Sequence, residues 1–123
     1  MCHNKFLVKN LLKNFIDVPQ GYGICDMTDV EKLKNISYPV IVKLNSEGSS
    51  MGLDSKSIVY DFNSMKLQVQ HLLEKYNRNI LVEEFIEGQD ISMIYVEGLG
   101  ALGPCIIQCD SEFYDYEMKT VKD

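Results

Sequence analysis

With 123 residues, 46% of them apolar and 24% charged, the chain has the length and composition of one globular domain, long enough to bury about two thirds of its unfolded surface. Its 18 acidic and 12 basic residues leave a net charge of -6 with no lysine or arginine cluster, which argues against a nucleic-acid partner. No apolar run approaches the roughly 20 residues of a membrane-crossing helix, so no membrane partner is expected.

The N-terminal stretch is broken by Lys9, Asn10 and Lys13 and has no signal-peptide core, and Cys2, Cys25, Cys105 and Cys109 show neither metal spacing nor a dense framework. A cytoplasmic protein with reduced thiols is the expectation. In chain order, Phe6, Leu7, Val8, Leu11, Leu12 and Phe15 recur at helical spacing and predict a helix from about Asn4 to Phe15, punctuated by Pro19 and Gly21. Tyr22 to Cys25 reads as a short strand. Thr28-Asp-Val-Glu31 has the spacing of a capping box, in which hydroxyl and carboxylate satisfy the first backbone donors of a helix, here running to about Asn35.

The β-branched run Pro39 to Leu44 predicts a strand and Ser57 to Asp61 another, so the glycine- and serine-rich segment between them joins two strands. Asn63 or Ser64 then caps a helix whose Met65, Val69, Leu72, Leu73 and Tyr76 form one apolar stripe. Ile80 to Ile86, Asp90 to Val96 and Leu102 to Cys109 complete the strands, with a turn at Gly98-Leu-Gly100. Helices and strands mix without regular alternation, which predicts an α+β fold, mainly antiparallel sheet with packed helices.

The segment from Pro39 to Gly52 carries the chemistry. Backbone N–H groups freed by Gly48 and Gly52, the hydroxyls of Ser46, Ser49 and Ser50, and the ammonium of Lys43 supply the donors that a polyphosphate requires. The order is not that of a Walker loop: Lys43 precedes its glycines and the loop leads into a strand, so a phosphate here would lie under a hairpin flap. Two readings of Lys43 stand side by side. It shares a strand face with Ile41, opposite Val40, Val42 and Leu44, and could simply meet solvent, or it could serve the adjacent donor loop. Glu83 and Glu84 are consecutive in an apolar strand and point to opposite faces; one of them forms an ion pair or reads the edge of a base. Asp90, after Gly88, is either solvated or an acceptor for ribose hydroxyls.

Pro39-Val-Ile-Val-Lys43 with Glu47-Gly-Ser-Ser-x-Gly52, then Ile80-Leu-Val-Glu-Glu-Phe-Ile-Glu-Gly88, then Phe113-Tyr-Asp-Tyr-Glu-x-Lys119, resemble the D-alanine:D-alanine ligases of the ATP-grasp superfamily. The Asn4-Lys-Phe-x4-Leu-Leu12 helix and the Val18-Pro19 turn fit as well, so the resemblance spans nearly the whole chain. Leu44 stands where the family usually has proline, and Thr120 where it has tyrosine.

The resemblance implies a central ATP-grasp lobe over residues 1–88, with a phosphate flap at 45–52, and an incomplete C-terminal catalytic lobe over 89–123. It also implies that Lys5, Lys43 and Lys119 contact ATP phosphates, and that Glu47, Gly48, Ser49 and Ser50 form the flap. Glu83 would receive the adenine amino group, the backbone of Phe85 and Ile86 would face the adenine edge, and Asp90 would hold the ribose. Ser49 and Lys119 would make the catalytic contacts. The implied activity joins two D-alanine molecules at the expense of ATP, with magnesium in the complete enzyme. Its metal ligands and the arginine for the oxyanion are missing from this chain, which is therefore expected not to turn over alone and to associate with further copies through exposed strand edges. Two alternatives fit the same residues: a stand-alone nucleotide-binding module without catalysis, and a related ligase with another substrate.

Overall fold

Residues 3–48 and 51–107 are described in a computed structural model. The elements are α1 (Lys5–Leu12), β1 (Gly21–Ile24), α2 (Met27–Glu31), β2 (Val40–Leu44), β3 (Ile58–Val59), α3 (Phe62–Tyr76), β4 (Ile80–Glu84), β5 (Asp90–Val96) and β6 (Gly100–Ile107). β1 to β4 make a four-stranded sheet in the order β1-β4-β2-β3, and β5 and β6 make a second, two-stranded one. Every strand pairing in both sheets is antiparallel. The α+β expectation therefore holds.

Strand alternation divides the first sheet into two unlike faces. Ile24, Val40, Val42, Leu44, Val59, Ile80 and Val82 point one way and are buried with Val30 of α2 and Met65, Val69 and Leu72 of α3 in one core. The predicted stripe of α3 is thus its buried face. The other face carries Gly21, Gly23, Ile41, Lys43, Leu81 and Glu83, which the register brings into adjacent rows: Gly21 beside Glu83 beside Ile41, and Gly23 beside Leu81 beside Lys43. Here α1 lies over β1, close enough that a Cβ on Gly23 would meet the Phe6 ring at 3.4 Å.

The helix starts differ from the expected ones. α2 is capped by Asp26, in extended conformation, whose carboxylate accepts the Thr28 N–H at 2.8 Å. Thr28 donates its hydroxyl to Asp26 and so supports the cap, and Glu31, instead of reaching back, pairs with Lys34 and with Lys66 of α3. α3 is capped by Asp61, not Asn63 or Ser64, because that carboxylate accepts both the N–H and the hydroxyl of Ser64 at 2.8 Å. These donors hold the Asp61 carboxyl below its ordinary range. α1 stops at Leu12, short of Phe15, and the second strand of the β2–β3 pair spans only Ile58–Val59 where Ser57 to Asp61 was expected.

In the hairpin of β5 and β6 the register slips between Ser92 and Ile94. The slip falls where Gly103 and Pro104 lie opposite Met93, and Pro104 has no N–H to donate to the ladder. Residues 108 and 109, which the expected last strand included, lie outside the described residues.

Candidate functional site

The charged groups on the α1 face converge on Glu83. Lys43 Nζ stands 3.0 Å from its Oε1, and Lys9 Nζ, reaching across from α1, stands 3.0 Å from its Oε2. The side chains of Lys9, Lys43 and Glu83 are only 16%, 20% and 12% exposed, so this is a half-buried cluster and not a solvent-facing pair. Of the two readings of Lys43 the structure realises neither in pure form: the strand face that alternation gives it is covered by α1, and its partner is the glutamate. Two ammonium groups against one carboxylate leave the site positive, which favours an anion in its vicinity.

Lys5, on the first turn of α1, lies at the mouth of the flap. Its ammonium donates to the carbonyls of Leu44 at 3.2 Å and Asn45 at 3.5 Å, and to that of Glu47. The Glu47 carboxylate pairs with Arg78, so the start of the flap is tied to the chain entering β4. Gly48 accepts the Met51 N–H at 3.2 Å as the loop turns. Gly52 has φ +76, which favours glycine, and sits where a Cβ would meet Tyr76 at 3.4 Å and Leu72 at 3.5 Å, so the returning flap rests on α3.

One residue that the sequence reading passed over fixes α1 to this site. Asn45, 5% exposed, accepts the Phe6 N–H through Oδ1 at 2.8 Å and donates through Nδ2 to Asn4 at 3.0 Å. Its backbone accepts the Lys5 N–H at 3.0 Å and donates to Asn79 at 2.9 Å. The N-terminus of α1, the end of β2 and the start of β4 thus meet on one asparagine. Lys9 was passed over too, although its i, i+4 spacing from Lys5 puts both on one helix face and could have found it.

Glu84, on the opposite face from Glu83, accepts the Gln20 N–H at 3.3 Å; the Phe85 N–H is taken by the Pro39 carbonyl at 3.1 Å. Ile86 and Asp90 are exposed. The structure therefore brings Lys5, Lys43, Glu47, Gly48 and Glu83 into one region, and places Phe85, Ile86 and Asp90 along the exit from it. Ser49, Ser50 and Lys119 lie outside the described residues. Among the described residues no three of His, Cys, Asp and Glu gather where a metal ion could sit. Cys25 and Cys105 are free thiols, and no helix among the described residues is long and apolar enough to cross a membrane.

Residues 23–123 match the family model described as D-ala D-ala ligase C-terminus. The chain is 32% identical over 120 residues to the D-alanine--D-alanine ligase of Petrotoga mobilis, a match that covers 95% of this chain and 38% of the relative. Among solved structures, the D-alanine--D-alanine ligase of Bacillus anthracis superposes with a TM-score of 0.68 at 27% identity, over 95% of this chain and 38% of that one. The same enzyme complexed with ATP gives a TM-score of 0.67 at 24% identity, over 91% and 36% of the two chains. The chain spans well under half the length of these relatives.

Proposed function

The chain belongs to the D-alanine:D-alanine ligase family, and on that premise we propose that it is the ATP-binding part of an ADP-forming carboxylate-amine ligase, D-alanine being the substrate. The observation that supports this reading is the meeting of Lys43 and Glu83 at 3.0 Å, with Lys5 and Asn45 joining α1 to the segment that follows β2. Lys43 and Lys5 neutralise ATP phosphates, Glu47, Gly48, Ser49 and Ser50 close over them, and Glu83 accepts the adenine amino group. The backbone of Phe85 and Ile86 lines the base, Asp90 holds the ribose, and Lys119 is a further phosphate ligand.

In the proposed reaction a carboxylate oxygen of the first D-alanine attacks the γ-phosphorus, the bond to ADP breaks, and an acyl phosphate forms. The amine of the second D-alanine then attacks the acyl carbon, and phosphate leaves as the amine gives up a proton. Such transfer depends mainly on positioning and on cations that meet the developing charge. Residues 1–88 supply those cations as a central lobe, residues 89–123 begin the C-terminal lobe, and Ser49 and Lys119 make the catalytic contacts. In the complete enzyme magnesium would supply further positive charge against the phosphates. The setting we propose is the cytoplasm, where peptidoglycan precursors are made.

Calorimetric titration with ATP and ADP, with and without magnesium, tests the reading. ATP is expected to bind, and Lys43→Met to weaken binding by about 1 to 3 kcal/mol, the scale of a lost charged hydrogen-bond partner. Equal affinity in the variant would return Lys43 to a structural ion pair.

A further inference from the structure

The Lys9 side chain is only 16% exposed. From α1 it crosses β1 to Glu83 Oε2 at 3.0 Å and also donates to the Pro19 carbonyl at 3.0 Å. Its route is built into the sheet. A Cβ on Gly21 would stand 3.1 Å from Lys9 Cδ and 3.3 Å from Leu81 Cδ1, so a larger residue there would crowd the lysine stem. Glu83 consequently commits each carboxylate oxygen to a different element: Oε1 to Lys43 on β2 and Oε2 to Lys9 on α1.

A glutamate held at one oxygen keeps rotational freedom about its terminal bonds, whereas one held at both has a fixed carboxylate plane. We infer that Lys9 is a positioning residue that acts through Glu83, holding its carboxylate in the one orientation that accepts a hydrogen bond from a 6-amino purine and rejects a 6-oxo purine. The rejection follows from chemistry: a 6-oxo group presents an acceptor to a carboxylate, and two acceptors facing each other in a half-buried site leave both without a donor. By sharing the Glu83 charge, Lys9 also leaves Lys43 more of its attraction for phosphate. The inference deepens the proposed nucleotide site and rests on it.

The test is equilibrium binding of ATP and of ITP, which differs from it at the purine 6-position, to the wild-type chain and to Lys9→Met, Lys9→Arg and Gly21→Ala, each with its thermal midpoint. The wild type is expected to prefer ATP. Lys9→Met should lose about tenfold of that preference, the worth of one charged hydrogen bond. Lys9→Arg should recover most of it. Gly21→Ala should erode the preference in the same direction with every charge in place, because its methyl crowds the lysine stem; it and Lys9→Arg carry the test if Lys9→Met does not fold. An unchanged preference in a folded Lys9→Met variant would overturn the inference. So would an equal loss of affinity for both nucleotides accompanied by a lowered midpoint, the signature of a purely structural lysine. Binding of ATP that depends on Lys43 but shows no preference over ITP would overturn the inference and leave the nucleotide reading standing. Failure of the wild type to bind either nucleotide would overturn both.

Discussion

Asn45 illustrates how much of this site rests on single residues whose importance is invisible along the chain. Its side chain satisfies the Phe6 N–H and contacts Asn4 while 5% exposed, and α1 has no buried residue of its own to hold it. Asn45→Ala would leave the Phe6 N–H without that acceptor, and the cost of such a loss is about 1 to 3 kcal/mol. We expect a destabilisation of that size in urea unfolding, together with weaker ATP binding because Lys5 and Lys9 both ride on α1. Stability within about 0.5 kcal/mol of wild type, the usual range of surface substitutions, would show that α1 is held by other contacts. By contrast Lys43 and Glu83 were legible as candidates, since a charged residue in a β-branched run stands out. Their pairing was not, because it requires the register that sets Lys43 beside Leu81 and Ile41 beside Glu83.

At the level of elements, α2 and α3 are joined by Glu31, which pairs with Lys66 at 2.8 Å and with Lys34 at 2.9 Å. The Lys66 hydrogen bond, with that of Lys34 second, lowers the Glu31 carboxyl from 4.5 to about 2. A carboxyl whose folded pKa is depressed contributes stability that is fully present above its unfolded value and is lost as the pH falls toward the folded one. The window for Glu31 therefore runs from 4.5 down to about 2. Glu31→Gln should lower the urea midpoint at about pH 6 more than at about pH 3, flattening the acid limb of the stability curve. Parallel wild-type and variant curves across that window would mean that the pairs contribute nothing, as many exposed pairs do. Both helices start earlier than Thr28 and Asn63 or Ser64 would place them, because several residue types compete for the cap. Aspartate, serine, threonine and asparagine all cap helices, and the short acidic side chains of Asp26 and Asp61 reach the first free N–H groups from outside positions that the hydroxyls of Thr28 and Ser64 occupy as donors.

At the scale of the whole molecule, and among the described residues, the two sheets differ sharply in what covers them. The first has a core on one face and α1 on the other, whereas β5 and β6 pair chiefly with each other and expose Ile91, Met93, Ile94, Tyr95 and Leu102. Apolar strands with open edges invite pairing with another copy. We therefore expect the mass measured by light scattering to rise with concentration, and Ile94→Lys, which places a charge in β5, to suppress the rise. A monomer at every concentration would sink this expectation. The hairpin was legible from its two apolar runs and the Gly98-Leu-Gly100 turn between them, while its bulge is signalled only by the Gly103-Pro104 pair.

Local chemistry alone determines a good deal of this protein: strand and helix positions follow from β-branching and apolar period, the donor-rich segment after β2 from its glycines and hydroxyls, and the family from blocks of residues in order. These are properties of neighbours along the chain. Tertiary structure decides which charges meet. Lys43 and Glu83 are separated by 40 positions, and Lys9 reaches the same carboxylate from a third element. Those contacts exist only because an antiparallel register aligns β2 with β4 and because Gly21 leaves a gap for a lysine stem. Neither condition is local, and no pattern along a single strand or helix contains it.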